Sequence, residues 1–262
     1  MKIHRIKGIL LQEYFITVRS LEVIMDLLFF SVMTVIVFGF MTIFLSGAVN
    51  SNVALYLLTG MLLWEIVRIT QYSSSVSILW NVWSKNLSNM FISPLSVKEY
   101  MTAQVIGGIV KSLLVFTIIS LIAKFVFGFD ITRLGIVNLF LFFINLSIFA
   151  WSIGIVVLAF IFRFGTRIQA LAWGLVFLFQ PLTAAFFPVK ILPGFLQTIA
   201  YLLPPTYVFE AARNSLINPS TNWNMFFISF LLNIVYLIPS IYFFSAMFKK
   251  SKDTGQFARN EG

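Results

Sequence analysis

Six stretches of this sequence are too long and too apolar for any setting but a lipid bilayer: Val23–Leu45, Val53–Ser75, Met101–Phe127, Ile136–Phe162, Ile168–Phe187 and Met225–Phe248. Each reaches the ~20 apolar residues that a rise of ~1.5 Å per residue needs to cross ~30 Å of hydrocarbon. The runs are continuous rather than alternating, so they are read as helices and not as barrel strands. Hydrophobic residues make up 60% of the chain and charged residues 10%, against ~25% charged in a soluble domain. The expected fold is all-α: a polytopic membrane protein with six transmembrane helices, an N-terminal amphipathic interfacial helix, and two short re-entrant outer half-helices before the last span. The whole of 1–262 is expected to form a single transmembrane domain.

The net charge of +9 does not point to nucleic acid, because the basic residues sit in separate short loops. With both termini inside, Lys2, Arg5, Lys7, Arg19, Lys85, Lys98, Arg163, Arg167, Lys249, Lys250, Lys252 and Arg259 fall on the cytoplasmic side. Arg133, Lys190 and Arg213 fall outside, and Arg68, Lys111 and Lys124 lie within spans. This asymmetry sets the orientation.

Residues 1–20 carry no small-residue cleavage site and interleave apolar and charged positions. They read as a basic amphipathic helix on the inner leaflet rather than as a cleaved signal. Asn50-Ser51-Asn52 and Gly128-Phe129-Asp130 mark outer turns, and residues 163–167 mark a basic inner turn. The inner loop 81–100 is polar and aromatic, flanked by Trp80 and Trp83 at the interface. A short helix is expected over 81–92, then a break at Ser93-Pro94, then a capping box in which Ser96 and Glu99 satisfy the free N–H groups that start span 3. Residues 187–224 hold Pro188, Pro193, Pro204, Pro205 and Pro219 yet stay rich in Phe, Leu, Ile and Tyr. That pattern predicts two half-helices, Leu192–Leu203 and Pro205–Ile217, with Pro205 in the first turn of the second.

Most catalytic chemistry has no residues to perform it. There is no cysteine, no Gly-Lys-Ser/Thr phosphate loop, one histidine (His4) and no close carboxylate pair that suggests a hydrolase or a magnesium site. We therefore expect no enzyme activity and no resident metal or cofactor in this chain. The remaining candidates are charges within spans. Glu65 and Arg68 share a face of span 2 at i,i+3, Lys111 lies in span 3, and Asp26 begins span 1. Two readings stay open: a polar translocation path or gating network, or an ion pair that locks spans together. A carboxylate with an arginine beside it favours an ion pair over proton exchange, which argues against a proton-driven carrier. Glu210 and Arg213 repeat the i,i+3 spacing in the second half-helix, and Phe186, Phe187 and Tyr207 are candidates to line an exit for a greasy substrate.

Two stretches carry a resemblance. The run Asn89-Met90-Phe91-Ile92-Ser93-Pro94-Leu95-Ser96-Val97-Lys98-Glu99-Tyr100 resembles the inner loop of type-2 ATP-binding-cassette (ABC) transporter permeases. The run Phe187-Pro188-Val189-Lys190-Ile191-Leu192-Pro193, followed by Pro204-Pro205-Thr206-Tyr207 and Glu210-Ala211-Ala212-Arg213, resembles the segment before that family's last span. The sequence looks closer to the drug-resistance and nodulation-factor branch than to the O-antigen branch. The resemblance implies two permease copies, most simply a homodimer, and two copies of a separate ATPase that holds the ATP and magnesium. It implies a coupling helix at about 81–92, with Trp83, Lys85, Asn86, Met90, Phe91 and Pro94 in the ATPase-coupling loop and the interfacial helix beside it. It implies movement of spans 1, 2 and 5, and an outer exit shaped by Pro193, Pro204, Pro205, Tyr207, Glu210 and Arg213.

Three functions compete at this stage. The first is an ATP-driven permease exporting an amphiphile (drug, lipid or lipid-linked glycan) across the cytoplasmic membrane. The second is an ion channel or secondary carrier, which predicts Gly-broken polar spans and an internal repeat. The third is an intramembrane enzyme, which predicts paired acids, nucleophile–base sets or metal ligands within spans. The residues favour the first.

Overall fold

A computed structural model describes residues 2–48, 51–86, 89–90 and 95–255. Among them there are helices and turns and no strand. Helix α1 covers Ile3–Arg19. After Ser20, whose hydroxyl caps the next turn, α2 runs over 21–48, interrupted by a π-helical turn at Met25–Phe29. Then follow α3 (Ser51–Trp83), α4 (Val97–Phe127), α5 (Ile136–Phe164), α6 (Ala170–Leu182), α7 (Gly194–Leu202), α8 (Pro204–Ile217) and α9 (Trp223–Asp253).

Five of these are long and apolar enough to cross a membrane: α2, α3, α4, α5 with its short extension, and α9. The expected fifth span is the departure. Ile168–Phe187 was to be a full crossing, but its helix is α6, with 13 residues and a length of about 20 Å, short of the ~30 Å of hydrocarbon. Pro181 contributes no N–H to the last turn of α6, and Ala184 then takes a left-handed backbone (φ 51°) that turns the chain away.

The chain packs around α3, which is buried on nearly every face from Leu58 to Val82. It also carries Glu65, Gln71, Ser73, Ser74, Ser75, Ser77 and Asn81, all buried. In lipid this inversion is expected, since polar side chains gain partners only inside the bundle. Helices α2, α4 and α9 turn apolar side chains such as Phe40, Phe125 and Phe227 outward. Small residues let backbones close on α3: Gly154 of α5 faces Ser74, and Gly108 of α4 faces Ser73 and the Thr70 carbonyl. Asn233 of α9 donates to the Asn145 carbonyl and side-chain oxygen of α5 (3.1 and 3.2 Å).

The half-helices end one residue from expectation at their junction, because Pro204 as well as Pro205 fits the first turn of α8. Backbone freed by this break is satisfied by side chains. Thr206 Oγ1 donates to the Ala200 carbonyl (2.6 Å), Tyr207 Oη to Tyr201 (3.0 Å), Tyr236 Oη to Leu202 (3.3 Å) and Ser229 Oγ to Pro204 (3.0 Å). At the turn after α4, Lys124 Nζ lies 2.8 Å from Asp130. That contact, with the Thr132 hydroxyl and N–H, holds the Asp130 carboxyl below its usual range.

Gly60 of α3 packs directly against the backbone carbonyl of Ala185, where a Cβ would overlap it. Gly60→Val should therefore cost about 1–3 kcal/mol from overpacking, read as a lowered unfolding temperature in detergent. Wild-type stability would show that the segment after α6 does not seat on α3.

Candidate functional site

Glu65 and Arg68 lie beside the midpoint of the 33-residue α3, about 25 Å from either end. Their i,i+3 spacing puts both on one face, and the contact is bidentate: Arg68 Nε reaches both Glu65 oxygens at 3.0 Å and Nη2 reaches Oε2 at 2.7 Å. Ser31 of α2 closes the triangle, donating to Glu65 Oε2 at 2.7 Å while Arg68 Nη2 donates to its hydroxyl oxygen at 2.6 Å. Arg68 Nη1 also donates to the main-chain carbonyl of Asp26 at 3.2 Å, inside the π turn. Such turns interrupt the regular hydrogen-bond ladder and are frequent at functional positions.

The Asp26 carboxylate continues the network. Its Oδ2 accepts from Tyr72 Oη (3.0 Å) and lies 3.5 Å from Trp173 Nε1 of α6. One face of α3, bearing Glu65, Arg68 and Tyr72, is thereby tied to α2 and α6. Gln71 adds a second tie, donating to the Ala172 carbonyl at 3.0 Å. These helices enclose a cavity of about 410 Å³. Its wall includes Asp26, Phe30, Thr34, Trp64, Glu65, Arg68, Tyr72, Trp173, Gln180 and Phe186.

Lys111 is not part of this site. Its ammonium pairs with Glu13 of α1 at 2.9 Å, 98 residues away in sequence. Gln104 donates to the other Glu13 oxygen at 3.3 Å and accepts from Ser77 of α3 at 2.7 Å. Glu13 is 4% exposed, so the pair buries the inner face of α1 against α4. Two further contacts hold α1: Gln12 Nε2 donates to Asn81 Oδ1 at 2.7 Å, and Glu99 accepts from the Lys2 N–H at 2.7 Å with Arg5 at 3.5 Å. Glu99 also completes the capping box with Ser96.

The inner loop differs from expectation at its start. No helix begins at Asn81. Helix α3 continues through it to Trp83 because Ser77, Asn81 and Val82 are buried and packed, which outweighs their polar local sequence. The chain turns at Lys85, which is exposed with φ 54°, and the Asn86 N–H closes the turn on the Asn81 carbonyl at 2.9 Å. Met90 is helical and lines a cavity of about 370 Å³ with His4, Arg5, Ile9, Gln12 and Leu95, so this loop lies against α1. Phe91 and Pro94 lie outside the described residues. Trp83 stacks on Trp173 (6.1 Å, 18°) and meets Trp80 edge-on at 5.3 Å, linking the inner end of α3 to the start of α6.

The outer candidates separate into groups. Glu210 Oε1 accepts from the Val189 N–H (2.8 Å) and Arg213 Nη2 (2.9 Å), while Arg213 Nη1 donates to the Ala184 carbonyl at 3.1 Å. The pair therefore fastens the turn after α6 to α8. Pro193 precedes α7 on the surface, while Pro204 and Pro205 are buried in α8. Phe186 meets Phe38 of α2 at a tilt, with ring centroids 5.0 Å apart, and reaches the cavity. Phe187 packs instead with Ala184, Val189 and Ala200, and Tyr207 faces Tyr201, so the three do not line one exit.

The sequence pattern of the ABC-2 type transporter membrane domain matches residues 6–217, which include every element of the cavity. The chain belongs to the ABC-2 type transporter family. No curated protein matches it. An ABC-2 permease is a transmembrane component and works with an ABC ATPase. In this permease the cavity between α2, α3 and α6 is the candidate functional site.

Glu65→Gln removes the charge that neutralises Arg68. Breaking a buried pair on one side typically costs about 3–5 kcal/mol. The double variant Glu65→Gln/Arg68→Gln should recover part of that loss in a double-mutant cycle read by thermal unfolding. Additive losses would mean that the two groups do not interact.

Proposed function

We propose that this permease is the membrane half of an ATP-driven exporter that moves an amphiphilic substrate (drug, lipid or lipid-linked glycan) outward across the cytoplasmic membrane. The observation that carries this reading is a largely apolar cavity whose wall carries the Glu65, Arg68 and Ser31 network near the middle of α3, in a chain of the ABC-2 family. A buried charge network that joins two long helices and a short one gates a path if it breaks and re-forms as the helices move. The branch we favour is that of drug-resistance and nodulation-factor export.

Energy enters from a separate ATPase, two copies of which bind the inner face with their ATP and magnesium. The docking surface is the loop after α3, with Trp83, Lys85, Asn86, Met90, Phe91 and Pro94, and α1 beside it. Helix α3 is about 50 Å long, so it projects past the hydrocarbon and carries a push at Trp83 directly to Arg68. The Trp83–Trp173 stack passes the same push to α6.

Two permease copies assemble as a homodimer. Exposed Phe30, Met33 and Val37 of α2 and Phe177 and Leu178 of α6 form apolar faces beside the cavity, suited to a second copy. Both termini lie in the cytoplasm, and α6 with the segment that follows it completes a sixth crossing. The half-helices α7 and α8, pinned by Glu210 and Arg213, shape the outer exit.

Lys85→Glu tests the docking surface. With the cognate ATPase in liposomes, it should lower substrate moved per ATP hydrolysed severalfold while insertion and expression stay at wild-type levels. Unchanged transport per ATP would remove the loop from the coupling path.

A further inference from the structure

We infer that the cavity between α2, α3 and α6 selects amphiphiles that carry a positive charge, with the Asp26 carboxylate as the counter-charge. This deepens the exporter reading above and rests on it. The first ground is the charge of the wall. Asp26, Glu65 and Arg68 are the Asp, Glu, Lys or Arg residues that line the cavity. Arg68 is committed to Glu65 through Nε and Nη2 and to the Asp26 main chain through Nη1. It therefore neutralises Glu65. The Asp26 carboxylate forms no ion pair among the described residues, and the donors on its Oδ2 are the neutral Tyr72 hydroxyl and Trp173 indole. Two carboxylates against one guanidinium leave the wall with an excess negative charge between apolar helices. A charge in that setting is costly until a counter-charge joins it.

The second ground is the remainder of the wall. Phe30, Trp64, Trp173 and Phe186 bring aromatic rings to the same cavity, and ring faces attract organic cations and repel anions. The volume, about 410 Å³, lies within the usual range for small-molecule sites. An anionic headgroup would find its natural partner, Arg68, with all three guanidinium nitrogens already donating.

The test uses the full chain in nanodiscs of zwitterionic phosphatidylcholine. Tetraphenylphosphonium and its anionic counterpart tetraphenylborate are titrated in, read by tryptophan quenching after subtraction of empty discs. The cation should bind at least tenfold tighter than the anion. Asp26→Asn, which keeps an acceptor for Tyr72 and Trp173, should weaken the cation at least tenfold and leave the anion unchanged. Asp130→Asn, at the turn after α4, should change neither. Tyr72→Phe keeps the ring and removes one donor from Asp26, so it should hold the cation at least as tightly as wild type. The inference is overturned if the two ions bind alike, if the anion binds tighter, or if Asp26→Asn retains wild-type cation affinity. It is also overturned if Tyr72→Phe loses as much as Asp26→Asn, because the shape of the network and not its charge would then be read. Should Asp26→Asn fail to fold, the wild-type preference for cation over anion and the Tyr72→Phe result still decide. Transport of another substrate class by the permease with its ATPase, without cation binding, would sink this inference alone; transport without any ATPase would sink the exporter reading.

Discussion

A guanidinium and a carboxylate at the middle of α3 cannot stay charged in a bilayer unless each finds its partner there, and the rest of the bundle is arranged around that need. The i,i+3 spacing supplies the pair. It does not supply enough hydrogen bonds, because a guanidinium has five N–H donors. Ser31 and the Asp26 carbonyl take up two further contacts, which brings α2 against α3 and places the π turn where the Asp26 carbonyl faces Arg68. Packing of α2 on α3 is thus fixed by polar satisfaction, and the cavity is what remains once α6 closes the third side through Gln71 and Trp173.

The same rule organises the periphery. Helix α1 is seated by Glu13, Gln12 and the Glu99 hub, which tie it to α4 and to the Asn81 end of α3. On the other side, the irregular segment between α6 and α9 survives because hydroxyls from Thr206, Tyr207, Ser229 and Tyr236 cap its carbonyls, and Glu210 takes the Val189 N–H. Irregular backbone in apolar surroundings is stable only with partners of this kind. Both ends of α3 therefore connect to other elements of the bundle, while its centre holds the charges.

Features set by local spacing were readable from the sequence. Hydropathy located five long helices, the Ser96–Glu99 capping box follows from a four-residue pattern, and Glu65/Arg68 and Glu210/Arg213 follow from helical period. Partners far apart in sequence were not readable. Periodicity states which face a residue occupies but not which helix meets it. Lys111 was accordingly grouped with Glu65 and Arg68, whereas it pairs with Glu13 on α1. Tyr72, which reaches Asp26 46 residues away, was missed, because helical period does not say which side chain on another helix a tyrosine meets. The short α6 and the continuation of α3 through Asn81 have different causes: Pro181 and the left-handed Ala184 end α6, whereas burial of Ser77, Asn81 and Val82 carries α3 on to Trp83.

In the proposed exporter, the cavity walled by α2, α3 and α6 is the path that an ATPase opens. The chain has no cysteine, so Thr34→Cys places a single thiol on the wall of that cavity. Its labelling by a membrane-impermeant maleimide added from outside, in liposomes carrying permease and cognate ATPase, should be slow without nucleotide and rise sharply with ATP. Equal labelling with and without ATP, or fast labelling of the permease alone, would contradict the account.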